Sequence, residues 1–94
     1  MNSISVVVPV YNEAKSLNSF LVYLQKMNSN NIMEFLVVDG GSTDGTQAIV
    51  LAFSKKYLKF KKIDSAKGRA VQMNVGASKS KGRILYFLHA DSLP

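Results

Sequence analysis

The sequence predicts an α/β fold, half of a doubly wound domain in which helices flank a parallel sheet, and three observations carry that expectation. Apolar runs recur roughly every 25 to 30 residues, the spacing that a βαβ unit requires. Segments with apolar residues at helical spacing lie between them. Two of the runs, SISVVVPV and EFLVVD, are continuous rather than alternating, which suits strands covered on both faces.

SISVVVPV is the first strand, and Leu17, Phe20, Leu21 and Leu24 then follow the i, i+3, i+4, i+7 pattern of a helix with Asn12 as its expected N-cap. EFLVVD is the second strand. Ile49, Ala52 and Phe53 mark a second helix, with Asp44 as N-cap and Gln47 three residues on, as in a capping box. YLKFKKI is a more polar third strand, expected at a sheet edge, where Lys59 and Lys61 share one face and guard it. Ala70, Met73 and Ala77 mark a third, shorter helix, and RILYFLHAD is an apolar fourth strand.

A parallel sheet places its binding crevice at the carboxyl ends of its strands. Those ends are Val10-Tyr11-Asn12, Asp39-Gly40-Gly41, Asp64-Ser65 and His89-Ala90-Asp91, so most of the chemically suggestive residues gather on one edge. The Gly-rich stretch VVDGGSTDGTQ is not a phosphate loop: Thr46 stands where a P-loop needs lysine, and Asp44 adds negative charge. A dinucleotide fingerprint fails as well, because VPVYNEA follows the first strand. Asp39, ahead of the glycines, is a carboxylate acceptor suited to an imide N–H or a ribose hydroxyl, or else it orders its own turn through an Asx-type bond. Asp91 could hold a hard divalent cation that bridges two phosphates. Lys67 and Arg69, at a helix start, could reach phosphates or a base carbonyl, or simply be solvated.

Ninety-four residues make a single small domain with a marginal core, and the absence of cysteine excludes disulfides, thiol nucleophiles and Cys-ligated zinc. No apolar run approaches a membrane span, and the N-terminus lacks a basic region before its apolar stretch, so a cytoplasmic location is expected. The net charge is +6, with ten of the twelve Lys and Arg residues between Lys55 and Arg83. That region reads as edge protection and solubility, or as a surface for a polyanion or a membrane.

Four motifs in series, PVYNEA at 9–14, VVDGGSTDGT at 37–46, KGRAVQMNVGA at 67–77 and LHADSLP at 88–94, resemble the amino-terminal half of a family 2 glycosyltransferase of the GT-A fold. The resemblance implies a three-layer Rossmann-like half domain, a truncated GT-A unit over residues 1–94, with a four-stranded parallel sheet in the order 3-2-1-4. It implies a nucleotide-diphosphate-sugar donor, commonly UDP-linked, with Pro9 and Tyr11 flanking the base and Glu13 close by. Asp39 would accept from the uracil imide, Arg69 would approach the base or diphosphate, and Lys67 belongs to the same motif. The D-x-D motif of the family falls on His89, Ala90 and Asp91, which keeps Asp91 as metal ligand and puts histidine in the first position. Histidine suits Mn²⁺ better than Mg²⁺.

In that family the acceptor site and general base come from the half after D-x-D, so this chain is expected to bind a donor without catalysing transfer. The acceptor is unknown, and no nucleic-acid partner is expected. The open sheet edge predicts homodimers, and peripheral membrane association of the full-length protein is a further expectation. The alternatives are a non-catalytic module that binds a polyanion or membrane surface through the basic region, and a nucleotidyltransferase-related domain.

Overall fold

A computed structural model describes residues 3–89. β1 (Ile4–Val10), β2 (Ile32–Asp39), β3 (Phe60–Asp64) and β4 (Ile84–Phe87) alternate with α1 (Ala14–Lys26), α2 (Thr46–Lys56) and α3 (Arg69–Lys79). All neighbouring strands are parallel, in the order β3-β2-β1-β4. The chain therefore steps outward from β1 to β3 and returns past β1 to place β4 on the far side.

The continuous apolar character of β1 and β2 has its cause in the two helical layers. Val6, Val8 and Val10 of β1, with Phe35 and Val37 of β2, join Leu17, Phe20, Leu21 and Leu24 of α1 and Val50 of α2 in the larger core. Val7, Leu36 and Val38 face the other way and pack with Val75 of α3. Alternate residues of one strand thus serve opposite layers, which is why no polar period survives. Phe35 and Phe60 stack at 4.3 Å between ring centroids and tie β3 to β2.

α3 lies close against the sheet because of one glycine. A Cβ on Gly76 would stand 2.5 Å from Val7 Cγ1 and 3.1 Å from Val38 Cγ2. The buried residues of this helix are Gln72 and Gly76, not the Ala70, Met73 and Ala77 face that the sequence predicted. A small residue and an amide, one turn apart, take the place of an apolar stripe.

Other expectations are corrected at the element ends. Asn12 does not cap α1; Glu13 holds that position, and Asn12 adopts a left-handed φ of 50°. Gly45 is the N-cap of α2, and Gln47 makes no capping box but donates from Nε2 to the Ser42 carbonyl at 3.0 Å. β3 does lie at the sheet edge, and there Lys59 and Lys61 also have specific partners. Lys59 Nζ closes the α1–β2 connection by donating to Asn28 Oδ1, Ser29 O and Ile32 O. Lys61 Nζ pairs with Glu34 at 3.2 Å.

Glu34, 1% exposed, is the deepest surprise of the fold. Its carboxylate accepts from Ser5 Oγ and from the Lys81 N–H, both at 2.7 Å, while Ser5 Oγ also accepts from the Gly82 N–H at 2.8 Å. The pair of side chains clasps the α3–β4 connection to the amino end of β1 and β2. Beyond it β4 is exposed along its whole length, although its composition resembles that of the covered strands.

Candidate functional site

The β1–β4 ladder stops after Val7, and Pro9 is the reason. Val7 O accepts from the Leu88 N–H at 3.0 Å, and Val10 O accepts from the Gly40 N–H at 3.0 Å, so odd-numbered residues of β1 face β4 and even-numbered ones face β2. The next donor toward β4 would be the backbone nitrogen of Pro9, which carries no hydrogen. The ladder ends there and the two strands can part.

A cleft of about 290 Å³ lies beside this point, with Pro9, Val10, Tyr11 and Glu13 on one wall and Lys67, Gly68, Arg69 and Gln72 on the other. Five of the residues singled out from sequence are therefore brought together: Pro9, Tyr11, Glu13, Lys67 and Arg69. Lys67 Nζ stands 4.5 Å from the centroid of the Tyr11 ring, a cation–π contact. Glu13 Oε2 accepts from the Tyr11 N–H at 3.2 Å and holds the loop behind the ring. The opposite wall is the amino end of α3, whose first N–H groups and macrodipole favour an anion. Lys67 and Arg69 add two full positive charges there.

Asp39 is not among the residues that line this cleft, and it is 1% exposed. Its Oδ2 accepts from the Gly41 and Ser42 N–H groups at 3.0 Å each, and its Oδ1 accepts from Ser42 Oγ at 2.6 Å. The Asx-type ordering of the turn is thus observed. Gly41 and Gly45, at φ of 91° and 98°, supply the left-handed corners that the turn needs.

The remaining polar residues of the turn bind the neighbouring loop. Ser42 Oγ accepts from the Asn12 N–H at 2.8 Å, Thr46 Oγ1 from the Glu13 N–H at 2.9 Å, and Asp44 Oδ2 from the Ala14 N–H at 3.1 Å. In return Asn12 Oδ1 accepts from the Thr43 N–H at 2.8 Å. Asp44 also accepts from the backbone N–H and hydroxyl of Thr46, so it serves the first turns of α1 and α2 at once. The Thr46 hydroxyl, helped by these backbone N–H groups, holds the Asp44 carboxyl below its usual pKa.

Of the residues expected from sequence to hold a metal, His89 lies just past β4, and its Nδ1 is buried with no hydrogen-bond partner among the described residues. An unpartnered imidazole nitrogen is compatible with a metal ligand. Ala90 and Asp91 lie outside the described residues, and among the described residues no three acidic, His or Cys side chains cluster as a metal site. No helix among those residues is long and apolar enough to cross a membrane. Sequence reasoning missed Gln72 as a wall residue; its signal was the i, i+4 spacing to Gly76 inside a helix with few apolar residues.

Residues 5–94 match the family Glycosyl transferase family 2. Among curated proteins, glycosyltransferase AglE of Haloferax volcanii is 38% identical over 97% of this chain and 31% of its own length. The dolichyl-phosphate beta-glucosyltransferase of Drosophila melanogaster is 31% identical over 94% of this chain and 30% of its own length. Among solved structures, the mannosyltransferase PcManGT from Pyrobaculum calidifontis in complex with GDP-Man and Mn²⁺ superposes with a TM-score of 0.78 at 29% identity, covering 97% of this chain and 28% of that one. S. aureus TarS 1-349 in complex with UDP-GlcNAc gives 0.78 at 28% identity, over 95% and 26%. The chain thus spans about 30% of the curated relatives it matches. Its fold is an amino-terminal portion of the GT-A architecture, and the chain belongs to glycosyl transferase family 2.

Proposed function

We propose that the chain is the donor-binding portion of a metal-dependent glycosyltransferase that takes its sugar from a UDP-linked donor, with the acceptor site and general base supplied by the remainder of the domain. One observation carries the reading. The positive end of α3, with Lys67 and Arg69, lines one cleft with Pro9 and Tyr11 at the carboxyl end of β1. Such a cleft offers an aromatic face for a base on one side and charge for a diphosphate on the other. Relatives of this fold hold GDP-Man with Mn²⁺ and UDP-GlcNAc, which is the same class of ligand.

In this reading Tyr11 stacks on the base, and Lys67 and Arg69 meet the diphosphate. Asp39 accepts the imide N–H of uracil: the turn fills three of the roughly four lone-pair sites of its carboxylate and leaves one open. His89 and Asp91 are the residues that would hold a divalent cation, Mn²⁺ in preference to Mg²⁺, whose charge offsets that of the leaving diphosphate. By itself the chain binds donor and does not transfer the sugar.

Calorimetric titration with UDP and GDP, with and without Mn²⁺, tests the reading. Saturable UDP binding that tightens with Mn²⁺, weakens about tenfold or more in Arg69→Ala, and changes little between low and moderate salt is expected. Heat that is indistinguishable between UDP and inorganic polyphosphate, and that vanishes as salt rises, would instead identify a polyanion surface.

A further inference from the structure

One wall of the cleft contains a side chain whose two donor hydrogens are both spent on the protein. Gln72 is 4% exposed. Its Nε2 donates to Val10 O at 2.9 Å and to Val38 O at 2.8 Å, which uses both amide hydrogens, and its Oε1 accepts from the Gly68 N–H at 3.3 Å. The two carbonyls belong to the carboxyl ends of β1 and β2, and Gly68 is the N-cap of α3. One amide therefore joins three elements where the cleft walls meet. Gly40 makes room for it: a Cβ there would stand 2.9 Å from both Cδ and Oε1 of Gln72.

We propose that Gln72 is a positioning residue for the donor site, which fixes the first turn of α3, and with it Lys67 and Arg69, at a set distance from Tyr11. The inference rests on the reading that the cleft receives the donor. Lys67 and Arg69 are exposed, so burial does not fix where their charges stand. Their backbone is fixed instead. Gly76 holds the helix against Val7 and Val38 one turn further on, and Gln72 fixes the rotation and height of its amino end. With both hydrogens committed, Gln72 cannot donate to a ligand, and its effect reaches the donor only through the two cations and the α3 N–H groups.

The test compares the wild-type chain with Gln72→Met and Gly40→Ala. Methionine keeps the length of the side chain and removes all three bonds; the alanine methyl pushes an intact amide aside, and so probes the same device if Gln72→Met fails to fold. The reporter is the chemical shift of the Lys67 ε-methylene protons, which the Tyr11 ring moves upfield relative to a Tyr11→Leu reference, read beside UDP affinity and the thermal midpoint. A folded variant should lose the upfield shift and bind UDP at least tenfold more weakly, with the amide spectrum of β1 to β3 preserved. Either folded variant with both the ring shift and the affinity of the wild type would overturn the proposal. A wild-type chain that shows the ring shift but no UDP binding would sink the donor reading, while the shift in the variants would still decide whether Gln72 positions Lys67.

Discussion

Asp39 and Asp44 occupy the same turn, and their surroundings separate them. Asp39 is enclosed by the N–H groups of its own turn, whereas Asp44 is exposed and reaches across to the first N–H of α1. Asp39→Ala leaves two backbone donors and a hydroxyl of a buried turn without partners, and should destabilise the chain by about 1–3 kcal/mol in urea unfolding. Asp39→Asn should be far milder for the fold, since its amide oxygen can still meet Gly41 and Ser42 while its nitrogen faces the Ser42 hydroxyl. The same substitution presents a donor to the imide N–H of uracil, so UDP affinity should fall roughly 10- to 100-fold, the equivalent of about 1.5–3 kcal/mol. Asp44→Asn should leave UDP affinity near that of the wild type. Glu34 gives a second prediction. Burial alone would raise its carboxyl pKa, but hydrogen bonds from Ser5 and the Lys81 N–H, and the Lys61 ammonium, outweigh burial and hold it below the ordinary 4.5. A carboxyl lowered by folding stabilises the protein above its unfolded pKa, and that contribution is lost as pH falls through the folded value. The urea midpoint of the wild type should therefore drop below about pH 4.5 more steeply than that of Glu34→Gln, which lacks this carboxyl. Asp39 and the cations of the third motif were legible as site candidates because unusual residues stood at strand and helix ends. Glu34 was not singled out, although a carboxylate in the middle of the apolar run IMEFLVV can be buried only with partners.

At the scale of elements, the helix and strand periods were legible and the caps were not. Leu17, Phe20, Leu21 and Leu24 form the buried face of α1 as their spacing requires. The caps failed because this protein satisfies the first N–H groups of α1 from another loop, through Thr46 and Asp44, and no local rule sees a partner some thirty residues away. α3 failed in its buried face for a related reason. A helix docked by a glycine and a hydrogen-bonded glutamine has little apolar signal to read. Gly76→Ala should push α3 off Val7 and Val38 and lower stability by about 1–3 kcal/mol, the usual range for overpacking, as measured by the shift in urea midpoint at unchanged slope. A neutral Gly76→Ala would mean that α3 is not seated as closely as the structure places it.

For the molecule as a whole, the βαβ spacing gave a parallel sheet and the family resemblance implied its order 3-2-1-4, which puts β4 at an open edge. Ile84 is 55% exposed and Tyr86 51%, on a strand as apolar as the buried ones. An exposed apolar edge strand is a template for pairing with another chain. The 94-residue chain should self-associate with rising concentration in sedimentation experiments, and Ile84→Lys with Tyr86→Lys should restore the monomer; a wild-type monomer at high concentration would contradict this. The proposed metal site rests on the sequence motif, since two of its three positions lie outside the described residues. The central claim, that a nucleotide diphosphate occupies the cleft between Tyr11 and the amino end of α3, is tested most directly by mapping amide shifts of the labelled chain during titration with UDP and Mg²⁺, which avoids paramagnetic broadening. Saturable changes concentrated at Tyr11 to Glu13, Gly40 to Ser42 and Gly68 to Gln72, and persistent in moderate salt, are predicted. Changes centred instead on Lys55 to Lys59 or Lys79 to Arg83 and abolished by salt, or no saturable change at all, would contradict it.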